Sequence, residues 1–244
     1  MQSTGPWREP KLKRSPEVTA ILVAAGAGRR MGKNGEKIFA TLGGKPLLFY
    51  SLKALEISPE IERVVIVVRK KSVETCRTLV RRFGFRKVQA IVAGGTRRQD
   101  SVERGLGFVG ESRFVLIHDG ARPLLSRRLI SRTLAACRRT GAAIAALPVT
   151  DTVKKVSGSR IDGTIPRENL WSAQTPQVFR RELIEEAFRR WPRGRIATDD
   201  ASMLKKCGRK VSVVEGDLFN IKITFPSDFA TAESLLRLNR KPWE

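Results

Sequence analysis

Histidine, tyrosine and cysteine are scarce in this chain. His118 is the only histidine and Tyr50 the only tyrosine among 244 residues, and the three cysteines, Cys76, Cys137 and Cys207, lie far apart. An odd number of cysteines without paired histidines argues against a disulfide framework and against a zinc site. They read as small core or helix residues. Aromatic residues make up 7% of the chain, which leaves few stacking platforms for single-stranded nucleic acid. No apolar run approaches the ~20 residues that a membrane span needs. Residues 1–17, MQSTGPWREPKLKRSPE, are polar and basic and have no apolar centre of the kind a secretory signal carries. They read as a disordered basic leader, and the chain as cytoplasmic.

Acidic residues are also few: 24 against 47 lysines and arginines, for a net charge of +23. Such an excess raises nucleic acid as a partner. The charge is spread from Arg8 to Arg240, however, in pairs such as Arg81-Arg82, Arg97-Arg98, Arg127-Arg128 and Arg138-Arg139. Several of these pairs fall inside helical patterns, where they form solvated faces. No specific nucleic acid is expected, and the bias suits acidic small molecules.

The most informative segment is 19–39, TAILVAAGAGRRMGKNGEKIF. An apolar run, 20–25, stops at the turn Gly26-Ala27-Gly28, and the cations Arg29, Arg30, Lys33 and Lys37 follow. A buried strand, a tight turn and clustered cations suit a triphosphate. Backbone N–H groups approach the anion where no Cβ intrudes, and the cations neutralise it. The dinucleotide fingerprint would need a third glycine where Met31 stands, and Gly44-Lys45-Pro46 is not the Gly-Lys-Ser/Thr of a P-loop.

Strand-like apolar runs at 20–25, 63–68, 88–92, 114–117, 142–149 and 211–214 alternate with amphipathic patterns at 46–56, 72–83, 97–109 and 126–140. Short continuous apolar strands separated by helices predict a mainly parallel sheet covered on both faces, an α/β doubly wound sandwich. Its ligands sit at the carboxyl ends of the strands. The chain after residue 17 is read as one domain, 18–244. Within it the rhythm breaks at 151–167, where two apolar runs around Gly158 predict a β-hairpin: an arm reaching out of the sandwich, or a surface hairpin with no partner. Helical patterns resume at 180–190, 199–207 and 226–238.

Two further segments can carry chemistry. In FVLIHDGARP, 114–123, a buried strand delivers His118, Asp119 and Arg122 to its carboxyl end. A carboxylate there suits Mg²⁺, or another divalent cation, which takes one or two carboxylates plus phosphate oxygens. His118 reads as orienting a neighbour rather than as a general base. In NIKIT, 220–224, Lys222 stands in a strand-like run. It is a phosphate clamp if its side faces the site and an edge-strand gatekeeper if not.

Taken together, AAGAGRRMG…EK, AGG…DS, HDGARP, PVTDTVK, LWSAQTPQ, ATDDAS and NIKIT, in order over residues 18–238, resemble the 2-C-methyl-D-erythritol 4-phosphate cytidylyltransferases of nonmevalonate isoprenoid synthesis. The resemblance implies a Rossmann-like nucleotidyltransferase fold and a homodimer joined by protruding β-hairpin arms, here about 151–175. It implies transfer of the cytidylyl group from CTP to the polyol phosphate with release of pyrophosphate. By position, Ala24, Ala25, Gly26, Gly28, Gly95, Ser101 and Gly120 would line the CTP pocket. Arg30, Lys37 and Lys222 would be the catalytic cations, and Asp119 would hold Mg²⁺. Asp119, Arg122 and Thr175 would meet the acceptor phosphate together with Thr152 and Arg167 from a partner's arm. Two departures stand out: Glu36-Lys37-Ile38 replaces the family's Pro-Lys-Gln, with Lys33 as a rival cation, and Thr96 replaces a carboxylate. The alternatives are a CTP transferase for another polyol phosphate, such as ribitol 5-phosphate, and a basic nucleic-acid-binding module.

Overall fold

The computed structural model describes residues 17–26, 28, 36–192 and 194–238. Arg30, Lys33 and most of the leader therefore lie outside the described residues. β1 (Val18–Val23) is followed by a 3-10 turn at Lys37–Phe39 and by a two-stranded hairpin of β2 (Thr41–Leu42) and β3 (Lys45–Pro46). α1 (Leu47–Ile57), β4 (Arg63–Val68), α2 (Val73–Phe83), β5 (Val88–Ala93), α3 (Arg98–Leu106), β6 (Phe114–Asp119), α4 (Arg127–Thr140) and β7 (Ala142–Pro148) continue the alternation. A second hairpin, β8 (Val153–Ser157) and β9 (Arg160–Ile165), precedes β10 (Trp171–Arg180), α5 (Arg181–Arg190), α6 (Asp200–Lys206), β11 (Ser212–Glu215) and α7 (Ser227–Leu238).

Seven strands form one sheet in the order β11-β7-β10-β6-β1-β4-β5. β1 runs parallel to both β4 and β6, β4 is parallel to β5 and β11 to β7, while β10 runs antiparallel between β6 and β7. The expected mainly parallel, doubly wound α/β sheet is thus observed. The chain builds outward from β1 to β4 and β5, then returns to the other side of β1 as β6. The carboxyl ends of β1 and β6 are therefore a topological switch point, where open α/β sheets bind ligands.

The strand runs are continuous rather than alternating because both faces are buried. In β1, Val18, Ala20 and Leu22 pack into a core with α1, α2 and α4, while Ile21 packs into the opposite core with α3, α5 and α6. Phe114 of β6 and Phe179 of β10 are essentially inaccessible, so truncating either to alanine costs ~3–5 kcal/mol. Helix ends follow local chemistry. Ser126 Oγ accepts the Leu129 N–H at the start of α4, and Asp199 accepts the Ser202 N–H at the start of α6.

Two expectations are corrected. The sequence pattern assigns no element to 171–180, yet β10 is a central strand. Its segment Gln174-Thr175-Pro176-Gln177 is polar, and its register against β7 shifts between Ala173 and Gln177. The periodicity that marks a strand is broken there because the buried polar groups face hydrogen-bond partners instead of apolar neighbours. Conversely, residues 220–224 form no strand. Their isoleucines are held by packing and by the Ile223 N–H bond to the Ala121 carbonyl at 2.8 Å, so Lys222 is no edge-strand gatekeeper.

The hairpin at 151–167 is present, as a separate two-stranded sheet with Gly158 at its turn. It presents Val156, Ile161 and Ile165 to solvent, with Ile161 67% exposed.

Candidate active site

Backbone contacts assemble the floor of the site. The Ala24 N–H donates to the Val67 carbonyl of β4 at 2.7 Å, and the Gly120 N–H donates to the Val23 carbonyl at 2.8 Å. The turn after β1 is thereby fixed between the ends of β4 and β6. The turn after β5 closes on it: a Cβ on Gly94 would stand 2.4 Å from the Ala25 Cβ and 2.7 Å from Ser101 Oγ. Only glycine allows that approach. Ser101 Oγ accepts the Gly95 N–H at 3.1 Å, and Arg104 donates to the Ala93 and Gly94 carbonyls. Gly28 adopts φ 59°, and beyond Gly26 lies open space.

These turns border a cleft of about 750 Å³. Ala24, Ala25, Gly26, Gly28, Gly95 and Ser101 line it, as do Lys37, Asp119 and Lys222. The Lys37 ammonium reaches the Ile223 carbonyl at 2.5 Å, which seats it beside Lys222. Asp119 is the only carboxylate among the described lining residues, facing several arginines and lysines. The cleft suits a polyanion.

The charges around Asp119 form a chain. Lys222 Nζ donates to Asp119 Oδ2 at 2.6 Å, Arg98 Nε donates to Oδ1 at 3.1 Å, and Arg98 Nη1 donates to Asp200 Oδ2 at 2.7 Å. Burial alone would push the Asp119 carboxyl up, but Arg98 and then Lys222 outweigh it and hold Asp119 well below the usual carboxylate range. Asp200 is 1% exposed and its Oδ1 has no hydrogen-bond partner among the described residues. Burial raises its pKa despite Arg98. Burial likewise opposes the Arg98 charge, and the two aspartates more than restore it.

Behind Asp119 lies a neutral network. His118 Nε2 sits 3.1 Å from the Arg122 carbonyl, which can only accept, so Nε2 carries the proton. Nδ1 then accepts from Thr175 Oγ1 at 3.0 Å, and that oxygen accepts the Asp119 N–H at 3.1 Å. Complete burial drives the His118 pKa down to about 4. The imidazole is a neutral strut that orients Asp119 through Thr175 and does not line the cleft. Arg122 is also buried; its guanidinium donates to the Asn220 carbonyl at 2.6 Å, and Asp119 only partly offsets the lowering of its pKa by burial. Gln174 holds both the Asp217 backbone and the Asn220 side chain, and so the loop that delivers Lys222.

The expected residues are thus divided. The glycine turn, Gly95, Ser101, Lys37, Asp119 and Lys222 meet at the cleft, while Gly120, Arg122 and Thr175 lie directly behind it. Thr152 and Arg167 are exposed on the arm and do not line the cleft of their own chain; Arg167 donates to the Thr150 carbonyl. Arg30 and its rival Lys33 lie outside the described residues. Thr96 donates to Asp100, at 3.1 Å. Arg98, Asp200, Gln174 and Asn220 went unassigned in the sequence. The signal for Asp200 and Arg98 was a second aspartate in ATDDAS and a second arginine after the glycine pair, each of which needs a partner of opposite charge when buried.

A profile of the family described as 2-C-methyl-D-erythritol 4-phosphate cytidylyltransferase matches residues 18–238. A relative of that name from Dehalococcoides mccartyi is 45% identical over 225 residues, covering 92% of this chain and 98% of its own. The crystal structure of 4-diphosphocytidyl-2C-methyl-D-erythritol synthase from Anaerococcus prevotii superposes with a TM-score of 0.80 at 31% identity, over 91% of this chain and 97% of that one. The cytidylyltransferase structure from Thermus thermophilus does so with a TM-score of 0.73 at 35% identity, over 89% and 98%. Matched along nearly its whole described length in both sequence and structure, this chain belongs to the 2-C-methyl-D-erythritol 4-phosphate cytidylyltransferase family.

Proposed function

We propose that the chain transfers the cytidylyl group of CTP to 2-C-methyl-D-erythritol 4-phosphate, giving 4-diphosphocytidyl-2-C-methyl-D-erythritol and pyrophosphate. The observation that carries this reading is the Arg98–Asp119–Lys222 charge chain at the β1/β6 switch point, facing a glycine turn across one cleft. An acceptor phosphate is already an anion at neutral pH, so its oxygen attacks the α-phosphorus without a general base. Catalysis then rests on positioning and on neutralising charge as the pyrophosphate leaves. Lys37 and Lys222 hold phosphate oxygens, Arg30 joins them on the triphosphate, and Gly26 and Gly28 let the backbone approach. A buried, neutral His118 accords with a mechanism that needs no proton acceptor.

Asp119 fits a Mg²⁺ ligand. It stays ionised, it borders the cleft, and each oxygen retains a lone pair beyond the bond it accepts from Lys222 or Arg98. No group of three or more metal-ligating side chains occurs among the described residues, so the remaining ligands would be phosphate oxygens and water. When bound, the ion lets two polyanions approach each other.

The arm is read as crossing to a second copy, with Thr152 and Arg167 meeting the partner's acceptor phosphate; its exposed apolar side chains support this. No helix among the described residues is long and apolar enough to span a membrane. Three free cysteines suit the reducing cytoplasm. The test is to supply CTP, Mg²⁺ and either methylerythritol 4-phosphate or ribitol 5-phosphate and to measure pyrophosphate. Turnover with methylerythritol 4-phosphate is expected. Turnover with ribitol 5-phosphate alone would move the chain to that substrate, and turnover with neither would remove the reading.

A further inference from the structure

Lys37 stands on a short turn that begins at Glu36. The Phe39 N–H donates to the Glu36 carbonyl at 2.9 Å, and Ile38 of the same turn is buried. The Glu36 side chain points the other way, toward the junction between β4 and α2, and only 9% of it is exposed. There Ser72 donates its hydroxyl to Glu36 Oε2, while Oε1 lies 3.7 Å from Arg69 Nη1 and 3.5 Å from Lys71 Nζ and accepts no hydrogen bond among the described residues.

These contacts are unequal. Lys71 and Arg69 are 68% and 39% exposed, and pairs of that kind contribute little. Ser72 is buried at the first position before α2, where a serine ordinarily caps its own helix. Here it makes no such cap; its hydroxyl is given to Glu36 instead. A nearly buried carboxylate without these partners would be costly, so the turn is held in one place. At the turn's other side Lys37 reaches the Ile223 carbonyl, next to Lys222 and hence to Asp119. One continuous path runs from the β4–α2 junction to the charge chain.

We propose that Glu36 is a positioning residue for Lys37: clasped by the Ser72 hydroxyl, with Arg69 and Lys71 nearby, it fixes the turn that presents the Lys37 ammonium to the nucleotide triphosphate. This rests on the assignment of the cleft to CTP. Arg69, beside the same carboxylate, also borders the cleft.

The test is a double-mutant cycle on kcat/KM for CTP, with wild type, Glu36→Gln, Lys37→Ala and the double variant. Glu36→Gln should lower kcat/KM about tenfold in the wild-type background and less than about twofold in the Lys37→Ala background, the coupling expected within one network. Ser72→Ala, which removes one hydroxyl, should lower it about threefold and also lose its effect when Lys37 is absent; it carries the test if Glu36→Gln does not fold. Equal losses in both backgrounds would overturn the proposal, as would normal kcat/KM in Glu36→Gln or Ser72→Ala. A wild-type chain that releases no pyrophosphate from CTP would overturn the functional reading and the clasp together; an active wild type with an additive cycle overturns the clasp alone.

Discussion

The cleft at the ends of β1 and β6 and the hairpin of β8 and β9 are built on opposite terms. In the cleft, Asp119, Arg98, Asp200 and Lys222 answer one another within the chain, and the polar groups behind them are buried. On the arm, Val156 and Ile161 face solvent, and the ion pair of Lys155 with Asp162 is itself exposed. A site whose charges are matched inside one chain can be preorganised by folding alone. An apolar, exposed hairpin only repays its exposure when something covers it. The difference teaches that folding alone settles the charges of the cleft, while it leaves the apolar side chains of the arm uncovered.

The largest effects should fall on the cleft. Lys222→Ala and Arg30→Ala should each lower kcat by ~10²–10³, the usual cost of ~3–4 kcal/mol for a preorganised group at a developing charge. Near-normal turnover in either purified variant removes that residue from the catalytic set. Next, Arg98→Ala leaves the carboxylates of Asp119 and Asp200 without their shared cation. Since the Arg98 side chain is 28% exposed, the low end of the range for breaking a buried pair applies, about 3 kcal/mol in urea unfolding. An unchanged unfolding midpoint would mean that the chain of charges is not what holds this end of the sheet.

His118 sharpens the contrast through pH. Its folded value, about 4, lies below the ordinary 6.5, so the unfolded chain takes the proton first. Its contribution is complete above pH 6.5 and is lost as the pH falls toward 4. Between pH 7.5 and 5 that amounts to about 2 kcal/mol. His118→Gln should flatten this slope in denaturant titrations at the two pH values; the same slope in both proteins would assign it elsewhere. The smallest stability effect belongs to the arm. Ile161→Ser should change the unfolding free energy of the isolated chain by less than about 0.5 kcal/mol, while weakening self-association about tenfold or more in sedimentation. A large loss of chain stability with unchanged association would place the arm in the same class as the cleft.

The same contrast explains what was legible in the sequence. The parallel strands announced themselves because burial on both faces leaves an unbroken apolar run, as in AILV of β1. The glycine turn and HDGARP were legible because close approach and strand-end charges restrict residue type. β10 was not, since Gln174, Thr175 and Gln177 are buried by hydrogen bonds that only the fold brings within reach. Lys222 was found as a cation but placed on the wrong element, because isoleucines packed from a loop give the same pattern as a strand. Arg98 and Asp200 lie 102 positions apart, and no local period connects them. The hairpin was legible from its two apolar runs around Gly158, but no contact within the chain shows what it is for.

The account stands or falls on whether the cleft of one chain is finished by the arm of another. Arg167→Ala and Lys222→Ala chains, each inactive alone, should be mixed and allowed to exchange subunits, and pyrophosphate release from CTP and methylerythritol 4-phosphate measured. With the arm in trans, each mixed dimer holds one pocket with both residues intact, and random exchange should restore about a quarter of wild-type activity. Verified exchange with no recovery would contradict the shared site, because every pocket would then carry one lesion or the other.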